Sequence, residues 1–395
     1  MKNFILVPVL FFSFSVSWAN EWTGDISLQV RQFDQEALSS SQSKNTTSAA
    51  VKAEWFHDWD GGKQSVTFVP FVRWDQRDDE RSHSDIRELS WLTVFDESEM
   101  RVGLRKVYWG VSESQHLVDV INQTDLVESM DGEQKLGQPM INYALINDWG
   151  TVDLFVLPYF RERTFPGING RLRSSYYVDT SNPIYESSAK ENHIDYAIRW
   201  SHSLGDWDIG LSDFNGTSRD PYFVVGVDTQ SNAVLRPEYN QMQQTGIDLQ
   251  ATKEAWLWKA EVINRKIKAE NYIAATAGFE YTFYSFLEST SDLGLVMEYL
   301  YDDRNAKATT PFEDDVMIGL RWTKNDENDT SALVGVVADR NDSSRLYSIE
   351  AGRRIAENWK LNIEARFFEG LTDTSNPLYA LRKDDFFQLE LGYYF

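Results

Sequence analysis

From Trp22 to Phe395, apolar and polar side chains alternate with a period of two, segment after segment. Successive side chains of a β-strand point to opposite faces, so this period gathers the apolar groups on one face. In 192–201 one face carries Ile194, Tyr196, Ile198 and Trp200, and the other carries Asp195, Ala197, Arg199 and Ser201. In 359–368, Trp359, Leu361, Ile363, Ala365 and Phe367 oppose Lys360, Asn362, Glu364, Arg366 and Phe368. A helix would need a period of about 3.6 residues, which these segments lack. Eighteen segments follow the pattern: 22–33, 48–57, 63–74, 85–95, 99–109, 140–147, 151–160, 192–203, 206–213, 242–252, 255–265, 271–284, 291–301, 313–323, 330–339, 343–354, 357–368 and 384–395. Alternation is weakest in 140–147 and 206–213, which leaves sixteen strands as the alternative.

The connections sort by parity. Those after even-numbered segments are tight, such as Gly205–Asp206 and Lys253–Glu254. Those after odd-numbered segments are mostly long: 34–47, 110–139, 161–191, 214–241, 302–312 and 369–383. A soluble sandwich has no reason to collect its long loops at one end. An outer-membrane barrel has short periplasmic turns, long outside loops and an even strand count. Trp55, Trp200, Trp207, Trp256, Trp258, Trp322, Trp359 and Tyr393 lie on the apolar face near strand ends, where a membrane interface favours amphipathic rings.

Residues 1–19 have the layout of an export signal. Lys2 is the charged start, Phe4–Val16 the apolar core, and Ser17-Trp18-Ala19 the cleavage site. That assigns 1–19 to a signal peptide and 20–395 to the barrel. Beyond residue 20 no run reaches the ~18 apolar residues of a membrane helix, and the mean hydropathy is -0.45. Neither speaks against strands that alternate. A net charge of -23 argues against nucleic acid as a partner. The absence of Cys excludes disulfides, thiolate metal sites and a Cys nucleophile.

If the apolar face meets lipid, the other face lines a lumen. On that parity the pore wall receives Arg31, Arg101, Arg105, Arg199, Glu261, Glu280, Glu298, Arg321, Glu350, Lys360, Glu364 and Arg366, among others. So many charges of both signs call for water, because a dry interior would cost several kcal/mol for each unpaired ion. Lys106 conflicts with this parity, so it either snorkels near an interface or follows a bulge. Nine glycines, Gly246 and Gly210 among them, share the lumen face; they leave room for solvent or a packed loop, or relieve curvature.

The loop 110–139 is apolar enough to fold inward and narrow the pore. Ser112 is a candidate cap for a short helix carrying Leu117, Val118, Val120 and Ile121, and a second helical turn is expected at Asp125–Met130. Its acids are Glu113, Asp119, Asp125, Glu128, Asp131 and Glu133, against Lys135 alone. Three readings stay open: a transverse field with Arg101 and Arg105, a Ca²⁺ site, or a solvated acidic loop.

Two resemblances sharpen the picture. Arg101-Val102-Gly103, Val107-Tyr108-Trp109-Gly110 and Val120-Ile121-Asn122-Gln123-Thr124-Asp125 resemble a pattern in a poorly characterised family of porin-like outer-membrane proteins of proteobacteria. Gln123 stands where that pattern has Pro, and Val111 where it has an acid. Some members accompany RND-type export systems. The resemblance implies a barrel that passes hydrophobic or small organic molecules. The last strand, ending in Phe395, resembles the signal read by the bacterial outer-membrane assembly machinery.

No Walker, HExxH or GxSxG pattern is present. His193 with Asp195 and the nearby Ser187 and Ser188 are the closest approach to a hydrolase set, and Glu350 with Glu364 to a glycosidase pair. Structural roles are the commoner explanation for both. Acidic outer loops around Asp75, Asp78, Asp79 and Glu80, and around Asp302, Asp303, Asp314 and Asp315, suit divalent cations bridging to lipopolysaccharide. Arg161, Arg163, Arg171 and Arg173 make 161–191 locally basic, suited to lipopolysaccharide or an anionic solute.

The sequence therefore predicts one transmembrane antiparallel β-barrel of about eighteen strands. The expected role is a porin-like outer-membrane channel, without catalytic activity or a cofactor, Ca²⁺ at the outer loops aside. Its expected partners are membrane lipid, lipopolysaccharide, the assembly machinery and small solutes. The alternatives are a channel specific for hydrophobic or small organic molecules, a barrel enzyme of lipase or protease type, and a structural or adhesive barrel.

Overall fold

The computed structural model describes residues 22–395; the expected signal peptide lies outside them. Strands β1 (Trp22–Phe33), β2 (Asn45–Trp59), β3 (Gln64–Asp75), β4 (His83–Val94), β5 (Ser98–Arg105), β6 (Gln138–Asn147) and β7 (Gly150–Leu157) open a barrel. The short β8 (Ile184–Tyr185) stands outside it. β9 (Asp195–Leu204) and β10 (Trp207–Thr217) return to the barrel, and β11 (Tyr222–Val227) and β12 (Ala233–Tyr239) leave it. β13 (Gln241–Lys253), β14 (Trp256–Ile267), β15 (Glu270–Phe283), β16 (Asp292–Asp302) and β17 (Asp314–Thr323) continue the wall. β18 (Ser331–Asp339), β19 (Arg345–Ala356), β20 (Trp359–Glu369) and β21 (Phe386–Tyr394) complete it. Among the described residues the wall has eighteen strands, each matching one segment predicted from alternation.

Every wall strand pairs antiparallel with its neighbours, and β1 pairs with β21 from Asp25 opposite Tyr394 to Phe33 opposite Phe386. Gly24 and Phe395 exchange main-chain hydrogen bonds of 3.1 and 3.0 Å at the same seam. No edge is left open, as a bilayer requires. The apolar face points outward: Leu28 is 51% exposed while its neighbour Gln29 is 5% exposed. Near the tight turns, Trp256 and Trp258 stack at 5.2 Å and Trp359 meets Tyr393 at 5.0 Å, forming part of the expected girdle. The two-residue turn at Gly205 has a φ of 64°, a conformation that glycine adopts without strain.

Two irregularities redirect side chains. Between β3 and β4 the register shifts, with Val69 opposite Glu88 and Pro70 opposite Ile86. Arg87 is the extra residue of this bulge, so Ile86 and Leu89 stay on the lipid face while Arg87 is buried inside. The second is at Lys106. β5 ends at Arg105, so Lys106 lies on chain already bending inward and faces the lumen, which resolves its parity conflict.

Outside the wall, β11 and β12 form a hairpin that β8 joins in parallel, a small sheet within the segments expected to be loops 161–191 and 214–241. The main apolar core sits inside the barrel, against one side only. There Trp109, Leu117, Val118, Val120 and Ile121 pack on Phe155, Leu157, Phe214 and Ile263 of the wall.

Candidate functional site

The segment 106–137 fills that side of the lumen. It folds inward as expected, but the helix expected after Ser112 does not form. Its amides are taken by wall carboxylates instead of by carbonyls one turn back. Glu261 on β14 accepts from the Val111, Ser112 and Val118 amides at 2.7, 2.9 and 3.1 Å. Glu298 on β16 accepts from the Glu113 and Ser114 amides at 2.7 and 2.9 Å and from the Ser114 hydroxyl at 2.5 Å. The Ser112 hydroxyl, the expected cap, makes no hydrogen bond. Both carboxylates are buried, at 0% and 1% exposure, and no cation pairs with them among the described residues. Hydrogen bonds to an ionised acceptor are the strong ones, which is how the wall grips the loop. Gly110 has a φ of 107°, and a Cβ there would lie 2.7 Å from Glu261 Oε1. The grip therefore requires glycine. At Asp125 only a single hydrogen-bonded turn forms, with the Glu128 and Ser129 amides bonded to the Asp125 carbonyl.

The residues that carried the family resemblance build this loop. Asn122 Oδ1 accepts the Val107 amide, and its Nδ2 donates to the Arg105 and Leu136 carbonyls, each at 2.8 Å. Asp119 accepts the Trp109 amide and pairs with Lys135 at 3.3 Å. Burial pushes the Asp119 carboxyl up, and Lys135 opposes that shift. Asp125 bonds Arg87 at 2.5 Å and the Thr164 hydroxyl at 2.7 Å.

The loop acids do meet arginines, but not the expected ones. Arg101 pairs with Glu99 at 3.1 Å, and Arg105 donates to Asn142 at 3.1 Å. Both stand on β5, where the loop departs, and the loop carries its acids away from that strand. Glu128 meets Arg73 at 2.8 Å instead, and Asp131 meets Arg366 at 3.3 Å. Arg366 also holds Glu350 at 2.5 Å and Glu364 at 3.2 Å. Glu113 takes Arg321 at 2.6 Å, and Arg321 reaches Glu280 at 3.3 Å. Arg73, Arg81 and Arg87 were missing from the predicted wall. Arg73 was within reach of the alternation, since Val72 and Trp74 on either side face out. The bulge hid Arg87, and Arg81 lies in a loop.

Two cavities of more than 300 Å³ border the inward segment. The inner one, about 800 Å³, has six basic lining residues: Lys52, Arg73, Arg87, Lys106, Arg321 and Lys360. Its eight acidic ones are Asp25, Glu113, Glu128, Asp131, Asp329, Glu350, Glu364 and Glu390. The outer one, about 310 Å³, lies between the inward segment and the outside loops, lined by His116, Lys135, Arg163, Asp220, Arg265, Tyr272 and Arg304 among others. Asp131 lines both. Of the predicted pore residues, Arg321, Glu350, Lys360 and Glu364 line the inner cavity. Arg101, Arg105, Glu261, Glu280, Glu298 and Arg366 line neither, and Glu261 and Glu298 serve as anchors. Arg199 bonds Asp248 at 2.7 and 2.8 Å in a separate pocket near the tight turns. Arg31 donates to Gln388 at 2.8 Å.

His193 bonds Asp195 at 2.9 Å, and Asp195 is otherwise occupied by Arg219 and the Thr217 amide. Ser187 accepts the Ala189 amide and does not reach the histidine. Glu350 and Glu364 face each other across β19 and β20 with Arg366 between them. Among the described residues no group of three His, Asp or Glu is arranged to hold a metal ion. In the acidic loops Asp75 pairs with Arg81, Asp302 with Arg304 and Asp314 with Arg340. The basic loop is likewise matched: Arg161 by Asp85, Arg163 by Asp220 and Arg171 by Asp384. Burial pushes the Asp220 carboxyl up, but Arg163 and Arg265 outweigh it and hold that group well below the usual carboxylate range.

No family model and no curated protein matches the chain. Solved structures do. Wzi of Escherichia coli, an outer-membrane protein described as a carbohydrate-binding β-barrel involved in group 1 capsule assembly, is 9% identical with a TM-score of 0.53. That match covers 93% of this chain and 84% of Wzi. A mutant of the Rh. blastica porin is 10% identical, covering 95% of this chain and 99% of the porin, with a TM-score of 0.44. OmpT, an outer-membrane protein of Vibrio cholerae, is 9% identical, covering 95% and 98%, also at 0.44. The likeness to Wzi is one of fold, a closed transmembrane β-barrel.

Proposed function

We propose that this chain is a porin-like channel of a Gram-negative outer membrane, through which small polar solutes diffuse passively. The observation that carries the reading is the pair of charged cavities meeting at Asp131. Walls this rich in ions hold water, because desolvating them is too costly. A barrel of this size has room for an aqueous path. A solute entering from outside would pass over the inward segment, squeeze by Asp131, which Arg366 holds from behind, and leave through the inner cavity. There the loop carboxylates Glu113 and Glu128 stand beside Arg321 and Arg73, a field that orients dipoles and disfavours apolar solutes. Eight acids against six bases support a weak preference for cations. The charged wall favours this reading over a channel for hydrophobic molecules and assigns no catalytic step.

In the same reading residues 1–19 are removed on export, Phe395 addresses the assembly machinery, and the outer loops contact lipopolysaccharide. The family resemblance at Arg101–Asp125 supports a proteobacterial channel, and any partnership with an RND-type exporter is part of the proposal. Purified protein in planar lipid bilayers tests it. Stepwise openings are expected, with a reversal potential on the cation side. A sealed barrel with hydrolase activity would overturn the channel.

A further inference from the structure

Among the described residues, each acid lining the outer cavity but one pairs with a single cation. Lys135 has Asp119, Arg304 has Asp302, Arg219 has Asp195, Asp131 has Arg366, and His116 has Glu133. The exception is Asp220, a single carboxylate between two guanidiniums. Arg163 Nη2 lies 2.6 Å from its Oδ1, and Arg265 Nη1 lies 2.8 Å from its Oδ2. The two arginines come from unrelated parts of the chain, one in an outside loop and one on β14. Each is fixed from behind: Gln123 takes Arg163 Nε at 3.2 Å, and Gln244 takes Arg265 Nε at 2.7 Å. Gln123 is one of the two residues that depart from the family pattern. Arg163 Nη1 and Arg265 Nη2 have no acceptor among the described residues, although Arg265 is buried. A guanidinium offers five donors, so unused ones facing a cavity are a place for an acceptor. Pro221 and Phe223 follow Asp220 in the chain and line the same cavity, giving it an apolar side. Its volume is at the small end for organic ligands.

We propose that the outer cavity is a binding site for a small organic anion, whose negative group sits on Arg163 and Arg265 and whose apolar body rests against Pro221 and Phe223. This goes beyond the channel reading, since it rests on the outer cavity and not on the inner one that carries the ion preference. It concerns binding at equilibrium, so a barrel that failed to conduct would still show it. The test is calorimetric titration of the detergent-solubilised full chain with benzoate, with neutral benzamide, and with acetate. Benzoate is expected to saturate one site, with benzamide and acetate each at least tenfold weaker. Asp220→Asn removes the resident competitor and is expected to tighten benzoate several-fold. Arg265→Gln is expected to weaken it at least tenfold. Should that wall variant fail to fold, Arg163→Gln in the outside loop gives the same readout. Equal binding of benzoate and benzamide, or weaker benzoate binding by Asp220→Asn, would overturn the proposal. Acetate as tight as benzoate would overturn the role of the apolar side.

Discussion

Glu261 on β14 holds Ser112 across 149 positions of sequence, its Oε1 accepting the Ser112 amide at 2.9 Å. The same carboxylate accepts the Val111 and Val118 amides, so three donors converge on one anion inside the barrel. An amide in its place offers a single acceptor oxygen and turns an N–H₂ toward those donors. Glu261→Gln is expected to cost about 2–4 kcal/mol of loop docking, since each hydrogen bond to a charged group contributes ~1.5–3. Limited proteolysis reads this as faster cleavage between Ser112 and Leu136. Cleavage at the wild-type rate would show that the carboxylate is not the anchor.

Arg366 pairs with three acids, Asp131, Glu350 and Glu364, and is their shared salt-bridge partner among the described residues. Arg366→Gln leaves their charge uncompensated where the two cavities meet. The cation-to-anion permeability ratio, read from the reversal potential in a salt gradient, is expected to rise several-fold. An unchanged ratio would place the selective neck elsewhere.

His116 and Glu133 make a contact of 2.6 Å at the outer rim of the inward segment. The bond to Glu133 raises the His116 imidazole above its ordinary 6.5, against burial. The same bond lowers the Glu133 carboxyl below its ordinary 4.5. The histidine's contribution is complete below pH 6.5 and is lost as pH rises through its raised folded value. The glutamate's is complete above pH 4.5 and is lost as pH falls through its lowered value. The contact is therefore strongest between about pH 4.5 and 6.5 and loosens on either side. A nuclear magnetic resonance titration of the His116 ring is expected to show a midpoint above 6.5 that Glu133→Gln lowers. A midpoint at or below 6.5 in the wild type rejects the pairing in solution.

Val262 sits mid-strand on the outer face of β14, beside the fully buried Glu261. Val262→Arg in lipid vesicles is expected to destabilise the barrel by about 2–4 kcal/mol, as for a basic residue at the bilayer midplane. Urea unfolding measures it. A loss within ±0.5 kcal/mol, the usual range for an exposed site in water, would mean that this face does not meet acyl chains.

The wall was readable from the chain because each face has a different solvent, which makes side-chain polarity a direct record of direction. Ile194, Ile198, Leu389 and their like stand where alternation puts them. The record fails where the backbone breaks period. Arg87 was lost to a bulge, and Lys106 conflicted with parity because its strand had already ended. The hairpin of β11 and β12 was read as loop, since Phe223, Val224 and Val225 run together with all three exposed and give no alternation. The inward segment was recognised by its apolar residues, but its form was misjudged. Helical spacing of Leu117, Val118 and Ile121 is a local signal, whereas Glu261 and Glu298 act from 143 to 185 positions away. The roles of those two residues followed the same logic: parity correctly turned them inward, but could not tell a wetted wall from a clamp.

The inward segment rests its apolar core on one flank of the bore and reaches Arg73 on β3 and Arg366 on β20 by ion pairs from its rim, and this divides the molecule's tolerance for change. On the flank of β14 and β16, an inner-face substitution disturbs a docked segment and so is felt as misfolding. On the opposite flank, along β18 to β20, inner residues such as Leu333, Ala351 and Asn362 border open space. In the proposed channel, new permeant preferences can therefore arise there without retuning the scaffold, which makes that arc the natural place for redesign.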